Sequence, residues 1–143
     1  MLEADVAMHL RQTQQRLSQI MREKIGEYGL TFRLLHILML IAKNPDTNQK
    51  ELAEQMRLTP GAVSGSVKKL IELGMLEQIP LEDDLRCNKL VLSEHANSVL
   101  KDYEEHVFLR YKELFLGFNQ DELRDFNKAL LKINENLDRI DQL

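Results

Sequence analysis

The chain has 143 residues, 43% of them hydrophobic and 29% charged, with a net charge of −4. That balance describes one domain with a real core, and no apolar run approaches the ~18 residues of a membrane span. Cys87 is the one cysteine, so an intramolecular disulfide is excluded and a reducing cytoplasm fits; the start Met1-Leu2-Glu3-Ala4-Asp5 lacks the basic segment of a secretory signal.

Residues 2–26 read as a long amphipathic helix. Val6, Leu10, Thr13, Leu17, Ile20 and Lys24 follow a 4-3-4-3-4 spacing, and Met21 and Ile25 widen the apolar face. Such a helix needs a partner to cover it. Gly26-Glu27-Tyr28-Gly29 breaks it, and Leu30-Thr31 leads into a second helix over 32–43. Leu34, Leu35 and the run Ile37 to Ala42 leave that helix almost no polar face, which predicts the buried centre of the domain.

Asn48, with Glu51 three residues on, starts a short helix in the manner of a capping box, and Leu52, Ala53 and Met56 form its inner face. Only a tight turn fits at Arg57-Leu58. Thr59 then caps a further helix, Pro60 takes its first position, and Gly74 supplies the left-handed residue past its end. Val63, Val67, Leu70 and Ile71 make its apolar stripe, and Gly61, Ala62, Ser64, Gly65 and Lys68 lie off it. Two short helices and a tight turn describe a helix-turn-helix. An αα-hairpin with no DNA role shares the pattern. Within 57–69 the charges are Arg57, Lys68 and Lys69, with no acid, so the acidic total leaves a local basic face.

Met75 to Pro80 is a short strand, Leu81 to Leu85 a polar turn, and Cys87 to Leu92 a returning strand with Leu90 and Leu92 on one face. Ser93 caps the next helix. A hairpin directly after the second helix of the pair makes the unit a winged helix. Tyr103, Val107, Tyr111, Leu114 and Phe118 continue at helical spacing, Gly117 and Asn119 break the run, and Asp121 starts a final helix. There Leu123, Phe126, Leu130, Ile133, Leu137 and Ile140 follow a 3-4-3-4-3 spacing, a seam that packs against another helix.

Over essentially its full length the chain resembles a MarR-family transcriptional regulator. The residues carrying the match are Leu52-Ala53, Thr59-Pro60, Val63-Ser64, Val67, Leu70, Gly74-Met75-Leu76, Asp84-Leu85-Arg86 and Leu92-Ser93. The resemblance implies a mainly α fold with a small β-hairpin wing. A winged helix-turn-helix lobe over 30–92 would be flanked by dimerisation helices over 1–28 and 94–143, all in one domain over 1–143. It also implies a homodimer in the cytoplasm, double-stranded DNA as partner, and release by a small ligand, a metal or oxidation. The wing Arg86 would enter the minor groove, with Asp84 holding the wing in place. Arg57, Thr59, Gly61, Ala62, Ser64, Gly65, Lys68, Lys69 and Lys89 complete the expected DNA-binding set. Family members often carry basic residues near the positions of Gly65, Gln78, Ile79 and Leu85, and this chain does not. Fewer cations release fewer counterions on binding.

Tyr28, Phe32, His36 and Phe108 are the candidate lining of an effector pocket, although aromatics at helical spacing are core residues first. His9, His36, His95 and His106 are scattered. His36 lies in the apolar second helix, where a satisfied core histidine is expected. Zinc-responsive members resemble the chain around His36-Ile37-Leu38-Met39-Leu40, yet Tyr103 and Val107 stand where two histidines one turn apart would bind together. No metal, cofactor or catalytic site is expected. Cys87 has no histidine beside it in sequence and reads as an inert thiol. The rival to a ligand-responsive repressor is a winged-helix protein-interaction module without DNA binding.

Overall fold

The computed structural model describes residues 1–81 and 84–142, of which 81 and 84–87 by backbone alone. The order is α1 (Leu2–Glu27), α2 (Phe32–Lys43), α3 (Gln49–Met56), α4 (Pro60–Glu72), β1 (Leu76–Leu81), β2 (Asp84–Leu92), α5 (Glu94–Leu114) and α6 (Gln120–Asp141). It divides into two compact units, Met1–Val107 and Phe108–Leu143, with the division inside α5.

Most helix ends in the first unit have a local cause. The Thr31 hydroxyl accepts the Leu34 amide at 3.3 Å, and the Asn48 side chain accepts the Glu51 amide at 2.9 Å. The Glu51 carboxylate does not reach back to the cap. It accepts the hydroxyl of buried Thr47 at 3.0 Å, so the expected capping box is half formed. Three helices close with paired carbonyl captures. Gly29 (φ 75°) ends α1 and Gly74 (φ 73°) ends α4, and Arg57 (φ 55°) takes the same left-handed place after α3. After α4, the amides of Gly74 and Met75 donate to the carbonyls of Ile71 and Leu70 at 3.0 and 2.9 Å.

One core joins Met21 and Ile25 of α1, five residues of α2, Leu52 and Ala53 of α3, Val63, Val67 and Leu70 of α4, Leu76 and Leu90 of the hairpin, and Ala96 and Val99 of α5. Burial of these apolar side chains stabilises the helix-turn-helix. The second helix is not buried all round. Leu34, Leu35, Ile37, Leu38 and Ile41 point inward, while Phe32, Arg33, His36, Met39 and Lys43 form an outward face. His36 is therefore an exposed histidine, not a core one.

The hairpin is antiparallel, pairing Leu76 with Leu92, Gln78 with Leu90 and Pro80 with Asn88. Its register then jumps to Leu81 opposite Asp84, so both strands run further than the sequence pattern suggested. The Ser93 hydroxyl donates to the Gly74 carbonyl at 2.6 Å and accepts the Ala96 amide at 3.1 Å. That one side chain ties the end of α4 to the start of α5, with the wing between.

In the second unit the end of α5 turns at Gly117 (φ 87°), and α6 starts with a full capping box. Asn119 accepts the Glu122 amide at 2.8 Å, and Glu122 accepts the Asn119 amide at 3.2 Å. Phe115 and Phe118 meet edge to face with centroids 6.0 Å apart. No residue of α6 is buried. Among the described residues no single helix is long and apolar enough to cross a membrane.

Candidate nucleic-acid interface

The α3–α4 pair presents one face of α4 with no cover. The Thr59 hydroxyl accepts the Ala62 amide at 3.1 Å and fixes the first turn behind Pro60. Val63, Ser66, Val67 and Leu70 then point inward, which turns Gly61, Ser64, Gly65, Lys68 and Lys69 outward. Ala62 is half-buried at the edge of that face. A Cβ added at Gly61 or Gly65 meets nothing within 4 Å. Their smallness therefore serves no packing inside the chain, although each glycine costs a helix about 1 kcal/mol relative to alanine.

Arg57, Lys68 and Lys69 are exposed and form no ion pair among the described residues. Lys89 is exposed on β2 opposite Ile79 and likewise forms no ion pair among the described residues. The structure thus brings Arg57, Thr59, Gly61, Ala62, Ser64, Gly65, Lys68 and Lys69 onto one helix-turn-helix, with Lys89 on the adjoining hairpin. The side chains of Asp84 and Arg86, and that of Cys87, lie outside the described residues.

Of the candidate effector residues, Tyr28, Phe32 and His36 belong to the first unit. Phe32 is exposed at the start of α2, with the Arg22 guanidinium 5.9 Å from its ring centroid. His36 is exposed one turn further on. Phe108 is exposed and begins the second unit. Tyr28 is half-buried, and its hydroxyl donates to the Asp102 carboxylate of α5. Lys24 stands over the Tyr28 ring at 5.3 Å and pairs with Asp102 at 3.3 Å. Burial first, and the hydrogen bond to Asp102 second, push the Tyr28 phenol up to about 12. The Tyr28 hydroxyl and then Lys24 hold the Asp102 carboxyl below its ordinary value. His106 lies near this cluster, and its Nε2 is buried with no hydrogen-bond partner among the described residues. Among the described residues no three histidines, cysteines or carboxylates come together as a set able to hold a metal.

Sequence reasoning missed the Tyr28–Lys24–Asp102 junction and the outward place of Arg33. The signal for Arg33 was present: it is the one charged residue in α2 before Lys43, three positions from His36. Polar residues at that spacing mark the solvent side of an otherwise apolar helix.

A MarR family sequence model matches residues 28–86, which takes in α2 to α4 and β1. The chain is 31% identical over 109 residues to the transcriptional regulator ZitR of Lactococcus lactis, covering 74% of each protein. It is 30% identical over 108 residues to the transcriptional regulator AdcR of Streptococcus pneumoniae, covering 73% of each. Its fold matches that of Streptococcus pneumoniae FabT, solved in complex with DNA, at a TM-score of 0.80 and 18% identity, over 96% of this chain and 99% of that one.

Proposed function

The chain belongs to the MarR family of transcriptional regulators, and from that premise we propose that it is a ligand-responsive repressor, binding a pseudo-palindromic operator as a homodimer. It acts by binding rather than by catalysis, and with duplex DNA as its partner it works in the cytoplasm.

The bare face of α4 is the observation that supports DNA reading. A recognition helix enters the major groove by its first turns, and the first turns here carry Gly61, Ser64 and Gly65, open to solvent. Serine can donate to or accept from a base edge, and the alanine methyl at Ala62 can meet a thymine methyl. Lys68 and Lys69 come one turn later, at the level of the phosphates. Arg86 on the wing is assigned to the minor groove and Asp84 to holding the wing.

A ligand acts on such a protein only by preferring one arrangement of the two DNA-reading lobes. In a dimer the recognition helices must lie about 34 Å apart to meet successive major-groove faces. Effector-insensitive variants are expected at Tyr28, Phe32, His36 and Phe108. Their appearance on α4 or the wing instead would remove the effector from that region.

The test is a salt titration of binding to the DNA upstream of the protein's own gene. Site-selective binding with a steep salt dependence supports the repressor. Absence of such binding favours the protein-interaction module.

A further inference from the structure

Between the start of α2 and one flank of α4 runs an open groove of about 700 Å³. Thr31, Phe32 and Arg33 form one bank, and Gly61, Gly65 and Lys69 line the other. Two cations from two different helices therefore face the same groove. Both are exposed, and neither forms an ion pair among the described residues. The Arg22 guanidinium of α1 lies 5.9 Å from the ring of Phe32, which lines the groove. A cation over an aromatic face is attracted to it, so positive charge is held at this edge. Among the described residues no carboxylate lines the groove. In a chain of net charge −4, three cations with no acid among them are a local reversal of sign.

We infer that this groove seats a backbone phosphate of the bound DNA, gripped by Arg33 from α2 and Lys69 from α4. The inference rests on the DNA-binding reading of α4 and carries it beyond the helix-turn-helix and wing. A helix lying in the major groove has a sugar-phosphate backbone along its flanks. The flank of α4 that carries Lys69 is the one facing α2, so a backbone passing there meets Arg33 as well. The planar guanidinium presents two parallel N–H donors to phosphate oxygens, and the ammonium adds a point charge. Gly61 and Gly65 leave the bank low, with nothing within 4 Å of a Cβ at either, so the backbone can approach closely. Arg22 contributes potential without direct contact. Duplex phosphodiester suits an open channel continuous with the bare face of α4 better than a small free anion, which needs enclosure.

The experiment measures binding of the whole protein to the DNA upstream of its own gene between 50 and 200 mM salt, with Arg33→Ala, Arg33→Gln, Arg33→Lys and Lys43→Ala. Lys43 is an exposed cation at the far end of α2, off the groove, and serves as the control for charge alone. Neutralising Arg33 should flatten the log–log salt slope by about 0.9 per bound chain, or about 1.8 for two. Over that salt range the affinity of the unmodified protein then falls about tenfold further than that of the variant. Arg33→Lys and Lys43→Ala should keep the slope. Arg33→Gln retains a long polar stem, so it loses the charge with little change to the fold, and matched thermal melts exclude unfolding. DNA carrying a neutral methylphosphonate at one flanking position should weaken binding of the unmodified protein more than that of Arg33→Ala, which keeps only the Lys69 contact. If Arg33→Ala and Arg33→Gln keep the full slope and the same methylphosphonate pattern, the groove is not a phosphate site, while DNA binding itself stands. If the unmodified protein shows no salt-dependent binding, the DNA-binding reading falls and the inference with it.

Discussion

Gly61 and Gly65 are small although nothing inside the chain requires it. Gly65→Ala fills open space on a helix interior, so it should raise unfolding free energy by about 0.5–1 kcal/mol and weaken operator binding. Thermal melts and binding isotherms read the two effects separately; a raised melting temperature with unchanged affinity would take Gly65 out of the interface. Tyr28 belongs to the same scale. Its partner Asp102 is 74 residues away, and no local pattern couples a tyrosine to one particular carboxylate, which is why the pair was invisible in sequence. Tyr28→Phe should lower the melting temperature at neutral pH. The pH sign follows from the two shifts. Asp102 titrates below its ordinary value in the fold, so its stabilisation is present above the usual carboxylate range and is lost as pH falls through the folded value. Tyr28 is raised to about 12, so its contribution is intact below the ordinary tyrosine value, about 10, and is lost as pH rises toward 12. The gap between the two proteins should stay flat from about pH 5 to 9 and close in acid.

At the scale of elements, helix starts were legible because caps are local. Asn48 and Thr59 each hold an amide three residues on, as their spacing suggested, and Thr31, read only as the lead into α2, does the same. Asn119 was read as a breaker and is the cap of α6, because the same short polar side chain that ends one helix can begin the next. The sidedness of α2 was legible only at Arg33 and His36: apolar content says that a helix is buried, and for Phe32 and Met39 only its neighbours decide which face stays open. Arg57 carries a left-handed backbone where glycine is usual, a choice fixed by the tight α3–α4 turn rather than by residue type. The wing was found from alternation and turn residues, yet its strands extend to Leu81 and Asp84, since backbone pairing continues through residues that no hydrophobic pattern marks. The wing makes its own prediction. Arg86→Ala should cost about 1–3 kcal/mol per wing and erase a preference for A·T pairs flanking the half-sites. Replacing those pairs by G·C in the DNA target checks it; full affinity with the flank preference retained would exclude a minor-groove role for the wing.

For the whole molecule the telling feature is what the chain leaves uncovered. Phe126, Leu137 and Ile140 of α6 are 46%, 48% and 59% exposed, and residues 1–16 bury nothing. The seam spacing made the apolar row legible in sequence, and in the proposed homodimer a second copy covers it. Leu137→Glu or Leu130→Glu should yield monomer or insoluble protein, checked by sedimentation at micromolar concentration; an unmodified chain that stays a folded monomer there would exclude the dimer. In the proposed homodimer the row along α6 would also make gene dosage a control variable. Where the chain is scarcer than its own dissociation constant, halving its synthesis leaves about a quarter of the dimers. A repressor that silences its own gene would then settle at a level set by the strength of this greasy row as much as by any signal molecule, and softening the row by one methylene would shift the cell's set point without touching DNA.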